Sequence, residues 1–216
     1  MIFLYMKKIF IAGLLTLCSA LCGYSQVKTV YFDIKDKVTA DSVHAASYAV
    51  YGKVSGDSLW VFKKYDMDGY IAATGSFKDS LLEVPHGRFV YYDWINPNKS
   101  ETVYEVLNTG KDRYKVLSGD FENGLKQGRW LGYYENGLVK TLVTFDRGVM
   151  QGPFKAFDDK GELIETGQYV QNKKDGDWVI NGGLRVVTFK MDEVVSDVKR
   201  TKKELKQLEE SKKKGL

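Results

Sequence analysis

The sequence predicts an all-β chain: an elongated antiparallel β-meander of hairpin repeats in a single twisted sheet, with a C-terminal α-helix. Three observations predict it. The first is a period. Phe121, Phe145 and Tyr169 recur every 24 residues, followed in phase by Gly128, Gly152 and Gly176, by Trp130, Phe154 and Trp178, and by Gly137 and Gly161. A repeat of that length makes an array in which each unit leans on its neighbours. The second is turn chemistry. Asn136-Gly137 divides two runs of aromatic and branched residues, and Lys160-Gly161 stands at the same point one copy later. This is a hairpin signal. A second turn falls at Asn123-Gly124, Arg147-Gly148 and Gln171-Asn172, where Gly and Asn suit positive φ. The third is composition: 14 Tyr, 11 Phe and 21 Gly against 3 Pro, aromatics for pleated surfaces and glycines for turns.

The lines Phe121-Glu-Asn-Gly-Leu-Lys-Gln-Gly-Arg-Trp-Leu-Gly-Tyr-Tyr-Glu-Asn-Gly137 and Tyr169-Val-Gln-Asn-Lys-Lys-Asp-Gly-Asp-Trp178 resemble the MORN (membrane occupation and recognition nexus) repeat. They are closer to its bacterial variant, in proteins labelled the YwqK-type antitoxin family. The resemblance covers residues 121–184 well and 62–92 more loosely. It implies an elongated, twisted antiparallel sheet and carries an antitoxin label without a mechanism.

Taken in order, residues 1–25 read as a signal peptide. Lys7 and Lys8 precede an apolar run from Ile9 to Leu21, and Gly23 and Ser25 supply the small residues a peptidase needs. The expected destination is the periplasm, the cell envelope or the exterior. Both cysteines, Cys18 and Cys22, lie in this segment, each after a leucine, which makes a lipoprotein the less favoured form. Cleavage there leaves no cysteine for a disulfide or a nucleophile. Residues 26–61 form N-terminal strands and one short helix, Thr39–Tyr48, capped by Thr39 or Asp41. Strands over Tyr48–Val54 and Leu59–Tyr65 flank a turn. Residues 62–190 are the repeat array, degenerate at first: Phe62, Tyr65 and Gly69 align on Trp130, Tyr133 and Gly137. Asp93–Ser100 breaks the pattern, and strands Glu101–Leu107 and Arg113–Phe121 follow around Thr109–Asp112. Residues 191–216 are a C-terminal amphipathic helix and tail. Val194, Val198, Thr201, Leu205 and Leu208 make its stripe, and Asp192 its N-cap.

The sequence offers little chemistry. Its 32 basic and 28 acidic residues are interleaved, which argues against nucleic acid. His86 occupies the position of Gln127, Gln151 and Asp175 in the other copies, so it reads as a polar turn residue. His44 has no partner at zinc-ligand spacing. Asp66-Met-Asp-Gly69 matches the hairpin turn Glu135-Asn-Gly137 better than a calcium loop. Glu101, Glu105, Asp158, Asp159, Glu162 and Glu165 could converge only within a cleft. No catalytic residue, metal or cofactor is expected.

The aromatics remain. Trp130, Phe154 and Trp178 are expected to form a structural ladder together with the turn residues Gly124, Gly128, Gly137, Gly148, Gly152, Gly161 and Gly176. Its middle member, Phe154, should be the costliest to remove. Three residues further on, Tyr133 and Phe157, with Tyr65 and Tyr92 in the degenerate copies, point to the opposite face and form the candidate binding set. The expected function is a non-enzymatic binding or scaffold module for an unidentified protein partner, with cell-envelope association. Two alternatives stand beside it: an antitoxin or immunity protein, and an envelope glycan binder or hydrolase. The oligomeric state is open.

Overall fold

A computed structural model describes residues 27–54, 56–95 and 113–214. Among these, 14 strands form one sheet: β1 (Lys28–Phe32), β2 (Val38–Thr39), β3 (Ser47–Lys53), β4 (Trp60–Asp66), β5 (Ile71–Phe77), β6 (Gly87–Trp94), β7 (Arg113–Glu122), β8 (Leu125–Tyr133), β9 (Val139–Asp146), β10 (Val149–Phe157), β11 (Leu163–Val170), β12 (Lys173–Ile180), β13 (Arg185–Lys190) and β14 (Glu193–Lys199). A helix, α1 (Lys202–Lys214), follows. The pairing is antiparallel throughout, and strand order follows the chain from β3 to β14. At the other end β1 pairs with β3 on one side and β2 on the other. The fold class is therefore the expected open meander with one C-terminal helix.

Two kinds of turn alternate along it. Asn123-Gly124, Arg147-Gly148 and Gln171-Asn172 all have both residues at positive φ, from 46° to 86°. That is the two-residue turn whose twist matches the strands it joins. At Asn136-Gly137 only the glycine is left-handed, at 84°. There the loop is longer: Tyr134 N donates to Leu138 O at 2.9 Å, and the Asn136 carboxamide oxygen accepts from Leu138 N at 3.0 Å. Asp66 and Asp158 fold the equivalent turns through their own carboxylates.

Three expectations need correction. The helix over Thr39–Tyr48 does not form. Thr39 ends β2, Asp41 Oδ1 accepts from Val43 N and His44 N at 3.0 and 3.2 Å in a local bend, and Ser47 already belongs to β3. Short polar side chains there compete for the N–H groups a helix would need. The helix expected from residue 191 starts only at Lys202. Met191-Asp192 is another two-residue turn, with φ of 53° and 76°, and Val194 and Val198 pair with Phe189 and Val186 in a further hairpin. The array thus runs to Lys199. Val194 stands opposite Phe189 as Lys174 stands opposite Tyr169, so spacing along a bulged strand imitated a helical stripe. The true N-cap is Thr201. Its Oγ1 accepts from Glu204 N at 3.3 Å while Glu204 Oε2 accepts from Thr201 N at 2.6 Å, a reciprocal capping box. The signal segment, Glu101–Leu107 and the Thr109–Asp112 turn lie outside the described residues. Across that gap β6 pairs directly with β7, Trp94 opposite Arg113.

Candidate binding faces

A single sheet must build its core from side chains of adjacent strands. Phe62, Phe77, Phe89 and Phe121 meet edge to face at centroid distances of 4.9–5.4 Å, and Phe121 meets Trp130 at 5.0 Å. Further on, Phe154, Tyr169, Trp178 and Phe189 form a second run. What seats the largest rings is glycine. A Cβ on Gly75 would fall 2.4 Å from Phe89, one on Gly119 2.2 Å from Trp130, and one on Gly167 2.3 Å from Trp178. Each ring lies flat on its neighbour's bare backbone, and the three are 4%, 2% and 0% exposed. Lysine closes the pile from outside: Lys126 Nζ sits 4.3 Å from the Trp130 ring and Lys174 Nζ 4.0 Å from Trp178.

The second copy differs at all three positions at once. Val143 replaces the glycine, Met150 the lysine and Phe154 the tryptophan. Phe154 faces Val143 directly and stays half-buried. Phe154, expected to be the costliest rung to remove, is thus less buried than Trp130 and Trp178, and it faces a valine where their rings lie on glycine. The signal was in the sequence, as a glycine two residues before Phe77, Phe121 and Tyr169 with valine before Phe145. Those glycines lie within strands, away from the turn positions that mark the repeat.

Ser118 adjoins Gly119 and so points to the other face. Its Oγ is fully buried and lies 3.1 Å from the Tyr133 hydroxyl. Trp130 and Tyr133 therefore occupy opposite faces, as their spacing predicts. The four candidate contact residues fall on β4, β6, β8 and β10, every second strand, which makes a row instead of a cluster. Tyr92 and Tyr133 come together around Lys115: Tyr92 is its cross-strand partner, and Lys115 Nζ lies 3.8 Å from the Tyr133 ring centroid. Tyr65, two strands away, stacks on Tyr48 at 5.4 Å. Phe157, two strands away on the other side, is half-buried, and its carbonyl accepts from the Tyr134 hydroxyl at 2.9 Å. Tyr133 is only 8% exposed and its hydroxyl is engaged with Ser118, so it supports this face from beneath. Arg88, Lys115, Arg129, Lys155 and Asp177 are among the exposed residues around the row. Burial raises the Tyr133 phenol pKa, but the Ser118 and Lys115 hydrogen bonds and the charges of Lys115 and Arg88 outweigh it and hold the phenol below its ordinary value.

The residue before each repeat glycine ties one hairpin to the next. Gln127 Oε1 accepts from Arg147 N at 2.7 Å, Gln151 Oε1 from Gln171 N at 3.0 Å, Asp175 Oδ1 from Met191 N at 3.2 Å, and His86 Nδ1 from Asn123 N at 3.3 Å. Each acceptor satisfies an N–H of a left-handed turn, which gives His86 a structural role. Asp66 binds its own turn through one oxygen and Arg113 through the other. Glu165 pairs with Lys174 at 3.6 Å and Asp158 folds its turn. Glu101 and Glu105 lie outside the described residues. Among the described residues no group of three or more His, Cys, Asp or Glu side chains converges as a metal site. A cleft of about 280 Å³ opens on the aromatic face between Phe32, Phe62, Phe77 and Phe89, with Lys64 paired to Asp36 and lying over the Phe32 ring. No helix among the described residues is long and apolar enough to cross a membrane. Comparison with family models, curated proteins and solved structures gave no match.

Proposed function

We propose that this chain is an exported, non-enzymatic β-repeat module that binds a protein partner through the sheet face opposite the tryptophans. Export and the MORN-type reading rest on the sequence alone. One observation carries the choice of face: the aromatic face is occupied by its own rings, Trp130 and Trp178 being 2% and 0% exposed, whereas the opposite face presents half-buried Tyr65 and Tyr92 beside exposed Arg88 and Arg129. Tyrosine and arginine on a rigid support are the residue types that anchor protein interfaces. The turn-to-turn hydrogen bonds hold that support in register.

The test is capture from cell-envelope extract with the chain beginning near Gln26. One stoichiometric protein partner, weakened by Tyr92→Ala with unchanged melting, supports the reading. Retention on glycan without a protein partner overturns it in favour of glycan binding.

A further inference from the structure

Arg88, Lys115, Ser118 and Tyr133 meet at one place on the face opposite the tryptophans. Arg88 Nη2 donates to Ser118 Oγ at 3.1 Å, and Arg88 Nη1 to Asp120 Oδ2 at 3.2 Å. Ser118 Oγ also meets the Tyr133 hydroxyl at 3.1 Å, and the Lys115 ammonium lies over the Tyr133 ring. The combination occurs once in the array. The position of Ser118 holds Thr74, Leu142, Thr166 and Val186 in the other hairpins; that of Tyr133 holds Tyr65, Tyr92 and Phe157; that of Arg88 holds Val61, Arg129, Pro153 and Asp177, so serine, tyrosine and arginine coincide here alone among these positions.

We infer that this cluster is a carboxylate-binding site, and that the carboxylate it takes belongs to a side chain or C-terminus of the protein partner. The inference rests on the proposed function only for the source of the carboxylate. Two cations face one carboxylate, Asp120, so one negative charge completes the balance. A dianion would leave an excess beside Asp120, and thus a carboxylate fits better than a phosphate. The donors are in place: the Arg88 guanidinium has N–H groups beyond the two already engaged, and the Lys115 ammonium has N–H groups beyond the one given to the Tyr133 phenol. Ser118 is buried and fixes the guanidinium, while Arg88 itself is half exposed, its side chain 52% accessible. A ligand oxygen therefore meets oriented donors instead of mobile surface charges. The depressed phenol of Tyr133 fits the same electrostatics, because an oxygen at this place already gains from carrying negative charge.

The experiment uses the full chain from near Gln26 with acetate as probe, inorganic phosphate as comparison and chloride holding ionic strength constant. Nitrogen shifts of Arg88 and Lys115 are followed by NMR. The expected result is a saturable acetate response, tighter than that to phosphate and weakened about tenfold in Arg88→Gln and in Lys115→Gln, the loss of one charged hydrogen bond. Lys140→Gln, a lysine outside the cluster, should leave the response unchanged. A non-saturating response, tighter binding of phosphate, or equal binding by both cluster variants while they melt like wild type overturns the inference. Partner capture separates the two claims. A partner held equally well by Arg88→Gln and Lys115→Gln refutes the inference and leaves the function standing. Saturable acetate binding without any captured partner supports the site and refutes its proposed use.

Discussion

Gly167→Ala is the sharpest test of how this sheet is held together. By local rules the change should help: Gly167 is a strand glycine outside the left-handed region, and replacing such a residue by alanine stabilises a chain by about 0.4–1 kcal/mol. Packing gives the opposite sign. The new methyl would sit 2.3 Å from Cδ2 and 2.4 Å from Cε2 of Trp178, a ring with no exposure at all. The ring must lift. If it re-exposes roughly 100 Å² of apolar surface, the cost is about 2.5 kcal/mol. The net effect is a destabilisation of about 1.5–2 kcal/mol, or a melting point roughly 3–8 °C lower for a chain of this size. Urea unfolding and calorimetry read it directly. Repeating the change in a Trp178→Val background should abolish most of the penalty, since the clashing ring is gone. A Gly167→Ala protein that melts at or above wild type, or that loses the same amount in both backgrounds, refutes the account of rings seated on glycine.

Three further outcomes follow from the same geometry. Trp178→Ala should cost about 3–5 kcal/mol and Phe154→Ala about half that, because Phe154 is only half-buried; a reversed order in chemical unfolding contradicts the linkage to Val143. Converting the second copy to the pattern of its neighbours, Val143→Gly with Met150→Lys and Phe154→Trp, should melt higher than Val143→Gly alone by several degrees, roughly 1–2 kcal/mol of restored ring burial; no recovery refutes the three-way exchange. The N-terminus of α1 depends on ionised Glu204, whose carboxyl is held below its ordinary range by hydrogen bonds from Thr201 N–H and then Oγ1. A depressed folded pKa gives stabilisation that is present above the unfolded value and lost as pH falls through the folded one. Helical circular dichroism should therefore persist through the ordinary glutamate range and fall only below it. Glu204→Gln should remove that step, and an unchanged profile contradicts the capping box.

Most of the sheet was legible because its period is long and its turns are chemically explicit. Gly124, Gly148 and Asn172 announce left-handed turns, and the in-phase aromatics announce stacking. What misled was spacing without context. Val194 and Val198 lie four apart, which suits one helical face as well as a bulged hairpin strand, and only the left-handed Met191-Asp192 turn separates the readings. No residue preference marks Met191 for positive φ; its N–H is held by Asp175, which the sequence does not show to be near. Thr39–Tyr48 misled for the opposite reason, since Asp41 suits a bend as well as an N-cap. The division of the faces was readable from parity, but the burial of Tyr133 was not, because Ser118 meets it from a strand whose register a bulge sets.

We propose that one face of the sheet is its core and the other its contact surface. Lys126 and Arg129 test it from the same strand: Lys126 lies against Phe121 and Trp130 on the aromatic face, and Arg129 is exposed opposite Thr144 on the other. A photoreactive phenylalanine placed at each position in turn, with envelope extract as the source of partner, gives the direct measurement. One discrete crosslinked protein is expected from position 129 and none from position 126. An adduct formed only from position 126 would make the tryptophan face the binding surface and contradict that division of the faces.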